Sequence, residues 1–181
     1  MFKNVFVRIL SSLILLFILF SCNSGNKVKF QDKLFSDFVA EMKINSTNIH
    51  FDFEAKKNTL FYENGLEVKA SIINKNKDTV YILSTTCSGE SNFLDYDTLL
   101  FSQYHLLQCN ASFPYILKIA PNEKFTFEAN FQNLKTSAEM KLGFYLNLVN
   151  KSFDTTKIEL FEVYKMAGEK KNIIWTRKKI S

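Results

Sequence analysis

The chain has 181 residues, enough for one domain with a substantial core. Apolar residues make up 46% and aromatics 15%, with phenylalanine alone at 19 positions; glycine (5) and proline (2) are too scarce for a collagen-like or low-complexity chain. The formal net charge is +5, and setting aside Lys3 and Arg8 leaves 21 basic against 18 acidic side chains, too mild and too dispersed a surplus to predict nucleic-acid binding.

Lys3 and Arg8 form a basic n-region ahead of Ile9 to Phe20, an apolar run broken only by Ser11 and Ser12. That run has the length of a signal-peptide core and is short for a membrane span. Leu19-Phe20-Ser21-Cys22 resembles the lipobox of bacterial lipoproteins, in the Bacteroidetes form that tolerates a bulky residue such as Phe20. The resemblance covers residues 1–22 and implies that 1–21 are a signal peptide. It also implies that the Cys22 sulfur carries diacylglycerol and that Cys22 becomes the new N-terminus. Each acyl methylene buried contributes roughly 0.8 kcal/mol, so several acyl (palmitate-type) chains hold the protein on a membrane. Residues 22–30 read as a tether, with Asn23-Ser24-Gly25-Asn26-Lys27 flexible. This tether lacks the acidic cluster that resembles a surface-export signal, so the expected location is the outer membrane, facing the periplasm.

If lipid occupies Cys22, Cys87 and Cys109 remain as an even pair. An exported compartment is oxidising, so a disulfide between them is expected, worth roughly 3 kcal/mol for a loop of that length. A redox dithiol would use a Cys-x-x-Cys spacing, and two cysteines without histidine neighbours make a poor zinc site. No metal and no cofactor are expected.

Residues 31–43 carry Leu34, Phe35, Phe38, Val39 and Met42 at steps of three and four, which predicts a short amphipathic helix packed on the domain. The β-sandwich domain is expected over 44–181. From Thr47 the period becomes two: Ile49, Phe51 and Phe53 face one way, and His50, Asp52 and Glu54 the other. Asn64-Gly65 predicts a two-residue hairpin between strands Thr59 to Glu63 and Leu66 to Asn74. Thr79 to Ser84, apolar on both faces, predicts a central strand. Ser88 to Tyr96 reads as a loop and Thr98 to Gln108 as a long strand or bent pair. Tyr115 to Ala120, Lys124 to Phe131 and Met140 to Leu148 read as strands. Thr156 to Tyr164 reads as a strand with a bulge at Leu160-Phe161. Asn172 to Arg177 reads as a last strand with Trp175 as a packing anchor.

The pattern predicts an all-β fold, an antiparallel sandwich of about seven to nine strands. Ile119-Ala120-Pro121-Asn122-Glu123-Lys124-Phe125 resembles the turn and strand of bacterial immunoglobulin-like modules, with Asn122 where those carry glycine. The likeness extends to Leu66 through Leu83, and the intracellular proteinase inhibitor family of bacilli shares it. It implies an immunoglobulin-like fold, not an activity.

No catalytic motif stands out. His50, Asp52 and Glu54 read as a polar outer face, and His105 as a structural histidine. The serines near Cys87 lack a nucleophile elbow, and Asp95-Tyr96-Asp97 lacks the glycine and glutamate of a calcium loop. Asp78-Thr79-Val80, Asp97-Thr98-Leu99 and Asp154-Thr155-Thr156 resemble the O-glycosylation sequon of exported Bacteroidetes proteins, which nominates Thr79, Thr98 and Thr155. The basic end, Lys170-Lys171 and Arg177-Lys178-Lys179, reads as solvated.

The expectation is a non-enzymatic, lipid-anchored envelope protein that touches the membrane through its N-terminal lipid and binds or supports an envelope protein partner. One alternative is an inhibitor of a protease or glycosidase, with Ser88, Glu90, Asp95 and Asp97 on its binding loop. Another is a hydrolase whose carboxylates converge only in space.

Overall fold

The structure is a computed structural model, and it describes residues 35, 37–87, 89–106, 111–168 and 172–181. The signal segment, Cys22 and the tether lie outside the described residues, as do Ser88, Cys109 and Lys170-Lys171.

Nine strands are present among the described residues. β1 (Ile49–Lys57), β2 (Gly65–Asn74), β7 (Lys124–Asn133) and β5 (Phe101–Tyr104) form one sheet in the order β1-β2-β7-β5. β4 (Leu94–Tyr96), β8 (Glu139–Tyr145) and β9 (Ile173–Lys179) form a second, in the order β4-β8-β9, and β3 (Val80–Thr85) pairs with β6 (Pro114–Ile119). Each of these ladders is antiparallel.

The β3–β6 pair is stitched to the run that follows β8. Leu83 N–H donates to the Asn147 carbonyl at 2.8 Å, and Val149 N–H donates to the Tyr81 carbonyl at 2.9 Å. Ile82 is bridged to Leu148, and β4 pairs Leu94 with Phe144. Thus β4 pairs with β8 itself and β3 with the irregular run just beyond it. The layers also meet at an edge, where Ala55 of β1 bridges Ile180 in parallel and Ser181 N–H donates to the Ala55 carbonyl.

Alternation explains the core. Phe51 and Phe53 of β1, Leu66, Val68, Ala70 and Ile72 of β2, and Met140, Leu142 and Phe144 of β8 are buried, as their period of two predicts. Phe144 meets Phe51 and Phe127 of the opposite sheet, each at 5.7 Å between ring centroids. Tyr96 meets Phe131 edge-on at 4.9 Å. The sheets therefore pack face to face through aromatic rings, which is where much of the phenylalanine goes. β3 is buried on both faces, as expected of a central strand.

Helix α1 (37–42, with Phe35 also helical) falls inside the predicted 31–43 segment. Phe38 is fully buried, while Phe35, Val39 and Met42 pack against the core. Glu41 accepts a hydrogen bond from Asn150 Nδ2, tying the helix to the loop after β8.

Several expectations are corrected. Thr59 to Glu63 is a turn, not a strand: Asn58 Oδ1 takes the Leu60 N–H, Gly65 N–H donates to the Tyr62 carbonyl, and Asn58 N–H donates to the Gly65 carbonyl. The hairpin is β1–β2 with a longer loop, and Asn64-Gly65 ends it rather than forming it. Gly65 is required by close approach, since a Cβ there would sit 2.1 Å from the Asn58 carbonyl oxygen. Between Thr98 and Gln108 the described strand is only β5, because Asp97 first caps a turn by accepting the Leu99 N–H at 2.9 Å. Ser88 to Tyr96 holds a 3-10 turn (Gly89–Phe93) and β4 rather than an open loop.

Thr156 to Tyr164 is not a strand. Asp154 caps a 3-10 turn (Thr155–Lys157), and α2 (Leu160–Gly168) follows. The phase slip at Leu160-Phe161 is the helical period breaking a period of two: Val163 is fully buried while Phe161 is 71% exposed. Trp175 lies on β9 as placed, but on the outer face of the sheet and 43% exposed, so it does not anchor the core.

Candidate functional surfaces

Two surfaces stand out, and the sheets position both. At one end of the first sheet, Gly65 of β2 pairs with Gln132 of β7, and Phe101 of β5 pairs with Asn133. The loops 58–64, 97–100 and 134–138 all leave from this row. Main-chain bonds hold them together: Asn133 N–H donates to the Asn64 carbonyl and Leu134 N–H to the Leu100 carbonyl, both at 2.8 Å. Asn133 also clamps Ser137, accepting its N–H at 2.9 Å and donating to its carbonyl at 2.8 Å. With their backbones bonded inward, these loops turn apolar side chains outward. Leu60 is 81% exposed, Leu99 76%, Phe61 60%, and Tyr62 and Leu134 are more than two-fifths exposed. Tyr62 rests edge-on against Tyr104 at 4.8 Å. Scattered exposed leucines are ordinary; five large apolar side chains at one end are a concentration of exposed apolar groups.

The chain arrives at the opposite end. Asn45 N–H donates to Asn76 Oδ1 at 2.9 Å, and β1 starts beside Asn74, the last residue of β2. Nine strand residues, roughly 30 Å, separate that point from the apolar loops.

The second surface is a cleft of about 570 Å³ on the outer face of β4-β8-β9. Asp95, Gly143 and Trp175 lie in one row across the three strands, and Lys141 pairs with Arg177 in a neighbouring row. Asp97, Ser137 and Glu139 complete the rim. The Trp175 ring leans over Gly143, where a Cβ would meet its Cε3 at 2.9 Å and Ile173 Cγ2 at 2.6 Å. Lys141 Nζ stands 4.3 Å from the ring centroid, a cation–π contact.

Of the residues nominated from sequence, Asp95 and Asp97 line this cleft. Glu90 does not join them. It is 7% exposed, and its Oε1 accepts from Ser84 Oγ at 3.1 Å and from the Tyr115 hydroxyl. Burial and the hydrogen bond to Glu90 push the Tyr115 phenol well above its ordinary range. Thr98 is exposed on the 97–100 loop, Thr79 is half-buried before β3, and Thr155 is half-buried in the capped turn. His50 and His105 are exposed. Asp52 pairs with Lys178 at 2.9 Å and Glu54 with Lys56 at 3.8 Å. Among the described residues no group of three or more His, Cys, Asp or Glu could hold a metal ion. Cys87 is disulfide-bonded, and the other expected member of its pair, Cys109, lies outside the described residues.

Sequence reading missed both surfaces. Leu60, Phe61 and Tyr62 were hidden in a segment that reads as a hairpin arm and Leu99 in one that reads as a long strand, and the Trp175 cleft needs three strands that are distant in sequence. The one signal for the cleft was a glycine, Gly143, inside an otherwise apolar alternating strand.

No family model matches the chain, and no curated protein matches it. Among solved structures, it overlaps the crystal structure of a FixG-related protein from Vibrio parahaemolyticus. The two share 12% identity at a TM-score of 0.35, over 74% of this chain and 94% of that one. A likeness of that size carries no argument about activity. The fold and the surfaces define an all-β protein of antiparallel sheets packed face to face.

Proposed function

We propose that the chain is a lipid-anchored cell-envelope protein of the Bacteroidetes lipoprotein type. In this reading it is an immunoglobulin-like β-sandwich, tethered through Cys22 to the outer membrane and facing the periplasm, that works as a non-enzymatic binding or accessory module. The observation that carries this reading is the set of exposed apolar side chains Leu60, Phe61, Tyr62, Leu99 and Leu134 at the end of the first sheet remote from the start of β1. The described chain starts at Phe35, beside Thr47 and Ile49, so the apolar surface lies at the other end of that sheet, an arrangement that suits docking onto another protein in the envelope. Aromatic side chains such as Phe61 and Tyr62 are among the types enriched at protein interfaces.

The Cys87–Cys109 staple belongs to the same reading. Thr86 and Phe113 exchange hydrogen bonds, Thr86 N–H to the Phe113 carbonyl at 2.9 Å and Phe113 N–H to Thr86 Oγ1 at 3.0 Å. Cys87 N–H donates to Ser112 Oγ at 3.3 Å, so the chain just after Cys109 runs alongside Cys87. An inhibitor built on Ser88, Glu90, Asp95 and Asp97 is less well supported, because Glu90 is buried.

The test is crosslinking in native membranes followed by purification of the chain and mass spectrometry. The expected result is one stoichiometric envelope protein, lost when Leu60→Ser and Phe61→Ser are combined in a variant that still folds. Retention of the same partner by that variant would overturn the docking assignment. A digest without reductant reads lipid on Cys22 and the Cys87–Cys109 link in the same sample.

A further inference from the structure

The cleft over Gly143 borders the apolar loops, taking Asp97 from 97–100 and Ser137 from 134–138, but it shares no residue with the 58–64 loop and its chemistry differs. It joins one aromatic face to charged groups of both signs: Lys141 and Arg177 against Asp95, Asp97 and Glu139. Its volume, about 570 Å³, falls within the ~300–1,000 Å³ range of small-ligand sites.

The mixture narrows the ligand class. A phosphate-rich ligand would meet three carboxylates, and a wholly apolar ligand would strip water from five charged side chains. A sugar ring fits both halves. Its face of C–H groups packs flat on an indole, and its hydroxyl edge donates to carboxylates and accepts from guanidinium and ammonium groups. The backbone is also shaped for this use. Gly143 is the residue opposite Trp175, and any larger side chain there would push the ring away from the sheet.

We infer that the outer face of β4-β8-β9 is a saccharide-binding site. Trp175 is its platform, Arg177, Asp95, Asp97 and Glu139 are its hydroxyl-binding rim, and Lys141 is a displaceable cap on the ring. Lysine suits that last role, because its long stem lets the ammonium swing into water when a sugar takes its place.

The chain contains a single tryptophan, so emission excited at the red edge, where its seven tyrosines do not absorb, reports on this cleft alone. Full-length protein in detergent micelles would be titrated with tetra-N-acetylchitotetraose, with maltotetraose and with a muramidase digest of peptidoglycan. A saturable change in emission is expected with one of these probes, weakened about tenfold, the equivalent of one good hydrogen bond, by Arg177→Ala or Glu139→Gln. Trp175→Phe, followed by calorimetry because it removes the reporter, should weaken binding of the same probe. The combined Leu60→Ser, Phe61→Ser variant should bind it unchanged, which separates this site from the docking end. No saturable change with any probe up to about 20 mM, a range that would catch millimolar affinity, overturns the assignment. So does binding that survives Arg177→Ala, Glu139→Gln and Trp175→Phe undiminished.

Discussion

The Tyr115 hydroxyl on β6 donates to Glu90 Oε1, the oxygen that also accepts from Ser84 of β3. This buried carboxylate links the 3-10 turn after Cys87 to both strands of the β3–β6 pair. Asn92 extends the contact, donating to the Cys87 carbonyl at 2.8 Å and to the Tyr164 hydroxyl of α2 at 3.3 Å.

Tyr115→Phe removes one of those donors from a buried carboxylate. A loss of about 1–3 kcal/mol is expected at neutral pH, since an under-satisfied buried charge costs more than the bond itself contributes. The pH dependence has a definite sign. The phenol's pKa is raised above its ordinary 10.0, first by burial and then by the bond to Glu90 and its charge, so the fold favours the protonated form. That stabilisation is fully present below pH 10 and is lost as pH rises above it toward the folded-state value. Urea midpoints at pH 8 and pH 11 should fall further for the unmodified chain than for Tyr115→Phe.

Gly65→Ala places a methyl group where the Asn58 carbonyl oxygen lies, 2.1 Å from the ideal Cβ position. The obstacle is backbone, so the hairpin loop must shift. A destabilisation of about 1–3 kcal/mol is expected by denaturant titration, the range for overpacking. The apolar loops that depend on this turn should dock more weakly in the crosslinking assay.

Leu60→Ser and Phe61→Ser change side chains with little burial to lose. Their effect on stability should stay within about 0.5 kcal/mol by thermal or chemical unfolding. A large loss of stability would show that these residues pack in the protein rather than await a partner.

Cys87→Ala removes the cysteine that is disulfide-bonded. With Cys109 as the proposed partner, the chain-entropy view gives the closed loop roughly 3 kcal/mol, and the variant should lose about that much in non-reducing denaturation. Adding a reductant should lower the unmodified chain to a similar value and leave the variant unmoved.

Much of the β architecture was legible because strand alternation is a local property. Ile49, Phe51 and Phe53, or Met140, Leu142 and Phe144, declare a buried face through a period of two, whatever lies across from them. The segment Leu160 to Gly168 was not legible: its apolar residues fit two strand phases with a slip, and only packing of Val163 into the core and of Tyr164 against Phe93 selects the helix. Likewise, Asn64-Gly65 carries a strong local turn signal, yet Asn58 captures the Leu60 amide first and moves the turn.

The sequence by itself determined that this is a chain of antiparallel strands with a short amphipathic segment ahead of them. Periodicity, turn residues and charge spacing are written along one dimension. Only the tertiary structure decided what reaches solvent: that Glu90 is buried under Tyr115, that Leu60 and Leu99 emerge at one end, and that Trp175 lies over Gly143 beside Arg177. Those relationships depend on sheet register, which places residues tens of positions apart on one face, and register is set by how the two layers pack.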